Sequence, residues 1–210
     1  MITYSINSSR ANTELCQIGM QCGTDKSPFN RNGHRHPYTP FYSMLFAPKR
    51  ALPIRFAEIG VAAGASVHMW ARYFQSGQLY FFDRDLNFLS NAQSFGYPNT
   101  SFGEMDVRDP LSIRTALAAT GGNLDVILDD SSHDIEHQYI IIKEAMKFLK
   151  PGGMLLIEDV FRTIPDEAYE SAIAPIKNEL SFYAFYEMEH ENKWSPGWDN
   201  DKILMLVKKF

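Results

Sequence analysis

Four short apolar runs, each carrying an acidic residue at or near its C-terminal end, constrain this chain more than any other feature: IRFAEIG (54–60), QLYFFD (78–83), LDVILDD (124–130) and GMLLIEDV (153–160). Runs this short and continuous suit strands buried on both faces. Helical patterns separate them, at ASVHMWARYF (65–74), near 85–95, at PLSIRTALAAT (110–120) and at EHQYIIIKEAMKFLK (136–150). Such alternation builds parallel βαβ units with helices on both sides of the sheet. TSFGEMD (100–106) supplies one more short strand. ELSFYAFYEM (179–188) and KILMLVKK (202–209), joined by a loop with Trp194, Pro196, Gly197 and Trp198, read as an antiparallel finish. The expected fold is a doubly wound, mostly parallel seven-stranded α/β sheet with an antiparallel C-terminal hairpin. Residues 1–50, polar and broken by Pro and Gly, read as a short N-terminal cap, and residues 51–210 as a single compact unit carrying the site.

With 45% hydrophobic and 21% charged residues, one large core is the default. A net charge of −5 gives no general attraction to phosphate backbones or anionic lipid, so neither nucleic acid nor a membrane is an expected partner. Cys16 and Cys22 lack the repeated pairs of a zinc site or disulfide framework and read as reduced thiols. MITYSINSSRANTELCQ has no basic segment followed by an apolar stretch, and no run reaches membrane-spanning length. A cytoplasmic protein is expected.

Ligands of open α/β sheets bind outside the carboxyl ends of the strands, and the acids gather there. AEIGVAAGAS (57–66) puts Glu58 at a strand end, Gly60 and Gly64 in the following turn and Ser66 at a helix start, where free N–H groups and a positive potential await a ligand. The row lacks the G-x-G-x-x-G spacing of a dinucleotide fingerprint. Asp83, about twenty residues beyond Gly64, stands at the spacing of a ribose ligand, with Asp85 as a neighbouring substitute. Asp106 follows the third strand, close to Asp109. In ILDDSSHDIEH (127–137) two carboxylates and His133 emerge from a buried strand, and Glu158 and Asp159 close the next one. If the two strands are neighbours, four carboxylates meet at one edge, which is costly unless a cation or proton compensates them, and a bound divalent metal is the economical reading. Oxygen donors favour a hard divalent ion, Mg2+ first and Ca2+ or Mn2+ next. The plainer alternative makes Asp129 and Asp130 helix caps and His133 a helix-start residue.

DDSSH followed by a helix, PGG and IEDV resembles the D-D-G-S-H and E-D pairing of the metal-dependent sugar O-methyltransferases of the mycinamicin and macrocin type, with Ser131 where that family has Gly. GTDKSPFNRNGHRHPYTPFY (23–42) is similar to their G-T-D-K and H-x-Y elements, and WDNDKILMLVKK (198–209) to their closing strand. The resemblance implies a class I S-adenosylmethionine-dependent methyltransferase fold. It implies Glu58, Gly60, Gly64 and Ser66 at the amino acid part of the cofactor, Asp83 at the ribose and Asp106 at the adenine. It also implies Asp130, Glu158 and Asp159 as metal ligands, with His133 as general base and Asp130 beside it in catalysis. Asp129 is assigned to the same cofactor-side loop, as its support, and Thr24, Asp25, Lys26, His36 and Tyr38 to the wall or closure of the site.

O-methylation of a sugar or glycoside hydroxyl is therefore the expected function, with S-adenosylmethionine and a divalent metal as cofactors, a small-molecule or glycan acceptor, and a homo-oligomer as a possible assembly. A catechol-type acceptor satisfies the same chemistry. The rivals are a nicotinamide-dependent oxidoreductase on the same sheet and a catalytically silent cofactor-binding partner protein.

Overall fold

A computed structural model describes residues 1–210. One sheet contains β1 (Thr3–Asn7), β2 (Arg55–Ile59), β3 (Gln78–Asp83), β4 (Thr100–Glu104), β5 (Leu124–Asp129), β6 (Leu149–Ile157), β7 (Leu180–Glu189) and β8 (Lys202–Lys208). Their order is β1-β7-β8-β6-β5-β2-β3-β4. Every neighbouring pair is parallel except those of β8, which runs antiparallel to β6 and to β7. The seven expected strands are present. An eighth, β1, lies parallel to β7 at the edge and comes from the segment expected to form only a cap. Its TYSIN sequence is largely exposed, so it has no apolar run to announce it.

Seven helices cover the sheet: α1 (Glu14–Cys22), α2 (Tyr38–Phe46), α3 (Ala65–Tyr73), α4 (Leu86–Gln93), α5 (Pro110–Ala119), α6 (Ile135–Ala145) and α7 (Glu167–Ile173). Two clusters of 26 and 25 buried residues, one on each face, make this a doubly wound sheet with two cores of equal weight. Leu15, Tyr38, Phe41, Tyr42 and Phe46 of α1 and α2 pack with Phe56, Trp70 and Phe74. The N-terminal helices thus belong to the core, and burying each such side chain stabilises by roughly 1.5–3 kcal/mol. The Pro-Gly-Gly break falls inside β6, where the register to β5 jumps between Leu124 and Val126 and Gly152 takes φ 73. No helix is long and apolar enough to cross a membrane.

The chain runs outward from β2 through β3 to β4, then returns to β5 on the other side of β2. That reversal leaves a crevice at the carboxyl ends of β2 and β5, where an open sheet takes its ligand.

Candidate active site

Helix capping sorts the acids at this crevice. Asp85 caps α4 by accepting from Asn87 N, Asp109 caps α5 from Leu111 N, and Asp134 caps α6 from Glu136 N. Capping duty is therefore met without Asp83, Asp106, Asp129 or Asp130. Adjacent residues at a strand end point to opposite faces, which separates Asp129 from Asp130. Asp129 is buried and accepts from Ser131 N at 3.2 Å and Ser131 Oγ at 2.7 Å, so it supports the loop from within and does not line the cleft. Burial pushes it up to about 6, against the hydrogen bond from Ser131.

Asp130, His133 and Asp159 converge, one ligand atom from each lying within 4.8 Å of the others. His133 Nε2 stands 3.2 Å from an Asp130 oxygen and 3.2 Å from an Asp159 oxygen. His133 and Asp159 hold left-handed backbone, at φ 58 and 55. Non-glycine residues stay there only where their surroundings over-determine them, and such places cluster at functional sites. Burial opposes a charge on His133, but the hydrogen bond to Asp130 and the charges of Asp159 and Asp130 outweigh it and push the imidazole up to about 9. Burial likewise pushes Asp159 up, against His36 and His133.

Lys26 supplies a second cation. Its ammonium, buried, donates to Asp130 and Glu158 and lies 3.7 Å from Glu58. Burial alone would strip the proton from Lys26; the three carboxylates keep it on, well above the usual lysine range. Burial also drives Glu158 up, and Asp130, partly exposed at the cleft, is held well below the carboxylate range by Lys26 and His133. Glu158, expected beside Asp159 at the metal, instead turns its carboxylate to Lys26 and to the Tyr42 hydroxyl. Both acids meet α2, but one turn of helix apart: Glu158 reaches Tyr42, while Asp159, turned by its left-handed backbone, accepts from the Tyr38 hydroxyl at 2.6 Å.

A cleft of about 550 Å³ opens beside Asp130. Of the residues expected at a cofactor, Thr24, Gly60, Ser66, Asp83 and Asp106 line it, together with Asp25. Lys26, Tyr38, Glu58 and Asp129 lie behind it, buried. Glu58 accepts from Ser66 Oγ at 2.9 Å and Trp70 Nε1 at 3.3 Å, and burial pushes it up to about 7 against the charge of Lys26. It braces the start of α3. Asp83 accepts from Val61 N at 3.0 Å and Ala62 N at 3.2 Å, shaping the turn after β2, while Asp106 is held by Arg108 and drawn down to about 2 by those hydrogen bonds. Met105, Val107 and Phe88 give the cleft an apolar wall beside these two acids.

The glycines of the turn serve chain packing. A Cβ on Gly60, at φ 91, would meet the Asp130 carbonyl at 2.1 Å, and one on Gly64 would meet the ring of Phe95 at 2.6 Å. Gly60 thus locks the cleft turn to the strand end that presents Asp130. Gly60→Ala is expected to destabilise the fold by at least about 2 kcal/mol, from a left-handed backbone and a steric clash together. Thermal denaturation checks this, and a midpoint within 2–4 °C of wild type, roughly 1 kcal/mol for a chain of this size, would contradict it.

Tyr42 and Asp201 join the site without a strong sequence signal, beside His36, which the resemblance assigned to its wall. His36 Nδ1 pairs with Asp201 at 2.9 Å and lies 3.8 Å from Asp159. The available clue for Asp201 was topological: the amino end of an antiparallel strand lies at the same sheet edge as the carboxyl ends of its parallel neighbours.

A sequence profile described as a methyltransferase domain matches residues 57–160. The chain is 33% identical over 153 residues to the 8-demethyl-8-alpha-L-rhamnosyl tetracenomycin-C 2'-O-methyltransferase of Streptomyces olivaceus, covering 70% of this chain and 37% of that one. It is 26% identical over 190 residues to the demethylmacrocin O-methyltransferase of Streptomyces fradiae, covering 83% and 47%. The chain therefore spans less than half the length of these relatives. The MycE methyltransferase of the mycinamycin biosynthetic pathway, solved in complex with Mg, SAH and mycinamycin VI, superposes with a TM-score of 0.69 at 20% identity, over 96% of this chain and 56% of that one. That likeness carries the fold. With the profile match, residues 57–160 form a methyltransferase domain, and the chain as a whole resembles the sugar O-methyltransferases of the mycinamicin and macrocin type in sequence and shares their fold.

Proposed function

We propose that this chain methylates a sugar or glycoside hydroxyl, using S-adenosylmethionine in the cleft and a divalent cation, Mg2+ by preference, at Asp130 and Asp159. The observation that carries this reading is the convergence of Asp130, His133 and Asp159 at the border of the cleft. Both groups fit the residues present. Asp130 and Asp159 offer carboxylate oxygens within 4.8 Å of one another, hard donors for a hard cation, and the His133 imidazole nitrogen lies equally close, free to take a proton. The cleft offers the α3 N-terminus, two acids suited to hydroxyl and amino donors, and apolar walls for a flat base. The first cofactor supplies an electrophilic methyl group, and the second lowers the pKa of a hydroxyl close to it.

The chain's own residues do the rest. The Gly60 contact with Asp130 fixes the distance between cleft and triad, so that donor and acceptor are held in one register. Tyr38 and His36 orient Asp159, and Lys26 orients Asp130. His133 takes the acceptor proton at Nε2. Neutralising Asp130 and Asp159 removes what holds His133 protonated, returning its imidazole toward the range where it accepts a proton near neutral pH. Relatives named for rhamnosyl tetracenomycin and demethylmacrocin support a sugar acceptor. A small-molecule glycoside and a cytoplasmic setting complete the proposal.

Calorimetric titration tests it. S-adenosylhomocysteine is expected to bind and NAD is not, and Mg2+ is expected to give a heat that Asp130→Ala abolishes. Preference for NAD, or no binding of either ligand, would overturn the reading.

A further inference from the structure

We propose that Trp198, backed by Phe161, is the shelf of the acceptor subsite, on which the apolar C–H face of a sugar ring lies while its hydroxyl edge meets Asp130, His133 and Asp159. The inference rests on the sugar O-methylation reading above and adds the surface that selects the acceptor.

The chain has three tryptophans, and their burial divides them. Trp70 is fully buried in the core, whereas Trp194 and Trp198 are 46% and 45% exposed. Large aromatic faces left in water at a crevice are costly unless a ligand covers them. Trp198 is close to the triad: its ring meets that of His133 edge-on at 6.0 Å and stacks on Phe161 at 5.8 Å with an interplanar angle of 28°. Phe161 follows the triad carboxylate Asp159 by only two residues, so triad and shelf are built from one turn of chain.

The loop that holds the indoles is pinned on both sides. Arg35 and Trp194 exchange backbone hydrogen bonds of 2.9 and 3.0 Å, Trp198 N donates to the Ser195 carbonyl at 3.0 Å, and Arg162 N donates to the Asp199 carbonyl at 2.8 Å. A recognition surface gains from such preorganisation, because little ordering remains to be done on binding.

Position supplies the direction. Asp130 lines the cofactor cleft; Trp198 and Phe161 do not. His133 stands between them, 3.2 Å from Asp130 and edge-on to Trp198. Methyl transfer is in line, so an acceptor whose hydroxyl sits at the triad extends its body away from the cofactor, which is toward the shelf. Pyranose rings present an apolar C–H face and a hydroxyl edge, and an indole beside two carboxylates matches both.

The test uses the full chain with S-adenosylhomocysteine and Mg2+, and methyl α-L-rhamnopyranoside as probe. In saturation-transfer NMR the ring C–H protons of the rhamnoside are expected to take up saturation. Trp198→Ala is expected to weaken its binding about tenfold, the scale of one lost aromatic face, and Trp198→Phe to recover most of it. Affinity for S-adenosylhomocysteine, measured on the same samples, is expected to be equal in all three proteins, which also certifies folding. If S-adenosylhomocysteine binds but the rhamnoside signal is absent, unchanged in Trp198→Ala, or seen only with catechol as probe, the shelf is refuted while the methyltransferase reading stands. If S-adenosylhomocysteine does not bind the wild-type chain, that reading fails and takes the shelf with it.

Discussion

Replacing Lys26 with Met is expected to destabilise the metal-free protein by about 3–5 kcal/mol, the cost of removing one partner from a buried ion cluster. At roughly 2–4 °C per kcal/mol for a chain of this size, the melting midpoint should fall by about 6–20 °C. The methionine side chain fills a similar volume, so the loss measures charge and not a cavity. Without the ammonium, Glu58, Asp130 and Glu158 face one another with no cation among them. The effect should shrink on acidification. Glu58, pushed up to about 7, and Glu158, also pushed up by burial, already bind their protons more tightly when folded than when unfolded. Groups of this kind favour the folded state as pH falls through their folded pKa values, and removing Lys26 raises those values further. The difference between variant and wild type should thus be large at pH 8 and small at pH 5. Added Mg2+ should restore part of the lost stability at pH 8. Differential scanning calorimetry at both pH values decides the matter, and a midpoint unchanged at pH 8 would show that Lys26 is not the compensating charge.

Lys26 also shows where sequence reasoning reached its limit. Acids at the ends of buried strands are legible because apolar runs locate the strands and the sheet gathers their ends; Asp83, Asp106, Asp130 and Asp159 were all placed at the crevice that way. The need for a cation among them was legible too, on electrostatic grounds. Its identity was not, because Lys26 lies in GTDKSPF, a segment with no periodicity. Tertiary packing of α1 and α2 against α3 is what carries it 132 residues along the chain to Glu158. Tyr42 was hidden for the same reason: its apolar neighbours Phe41 and Phe46 mark a core helix, and nothing local says that its hydroxyl ends on Glu158. The eighth strand escaped because edge strands need no apolar face. At the glycine turn the structure adds a packing requirement that no local pattern announces: the space a Cβ of Gly60 would need is filled by the Asp130 backbone.

His133→Ala is expected to lower kcat by about 10²–10⁴-fold, the usual worth of a positioned general base. Affinity for S-adenosylhomocysteine should be preserved, because the His133 side chain does not line the cleft. Mg2+ affinity separates two roles for this residue. As a proton acceptor that carries positive charge in the metal-free site, His133 repels an arriving cation, and its removal should leave Mg2+ binding equal or tighter. As a metal ligand, its removal should weaken Mg2+ binding. His133→Gly adds a second signature. At φ 58 a β-carbon costs about 1–2 kcal/mol that glycine does not incur, so this variant should be as inactive as His133→Ala yet more stable than it. Turnover within tenfold of wild type in either variant would remove His133 from the reaction. Loss of turnover with no gain in stability for His133→Gly over His133→Ala would mean that the greater freedom glycine gives the unfolded chain offsets the relief of the left-handed turn.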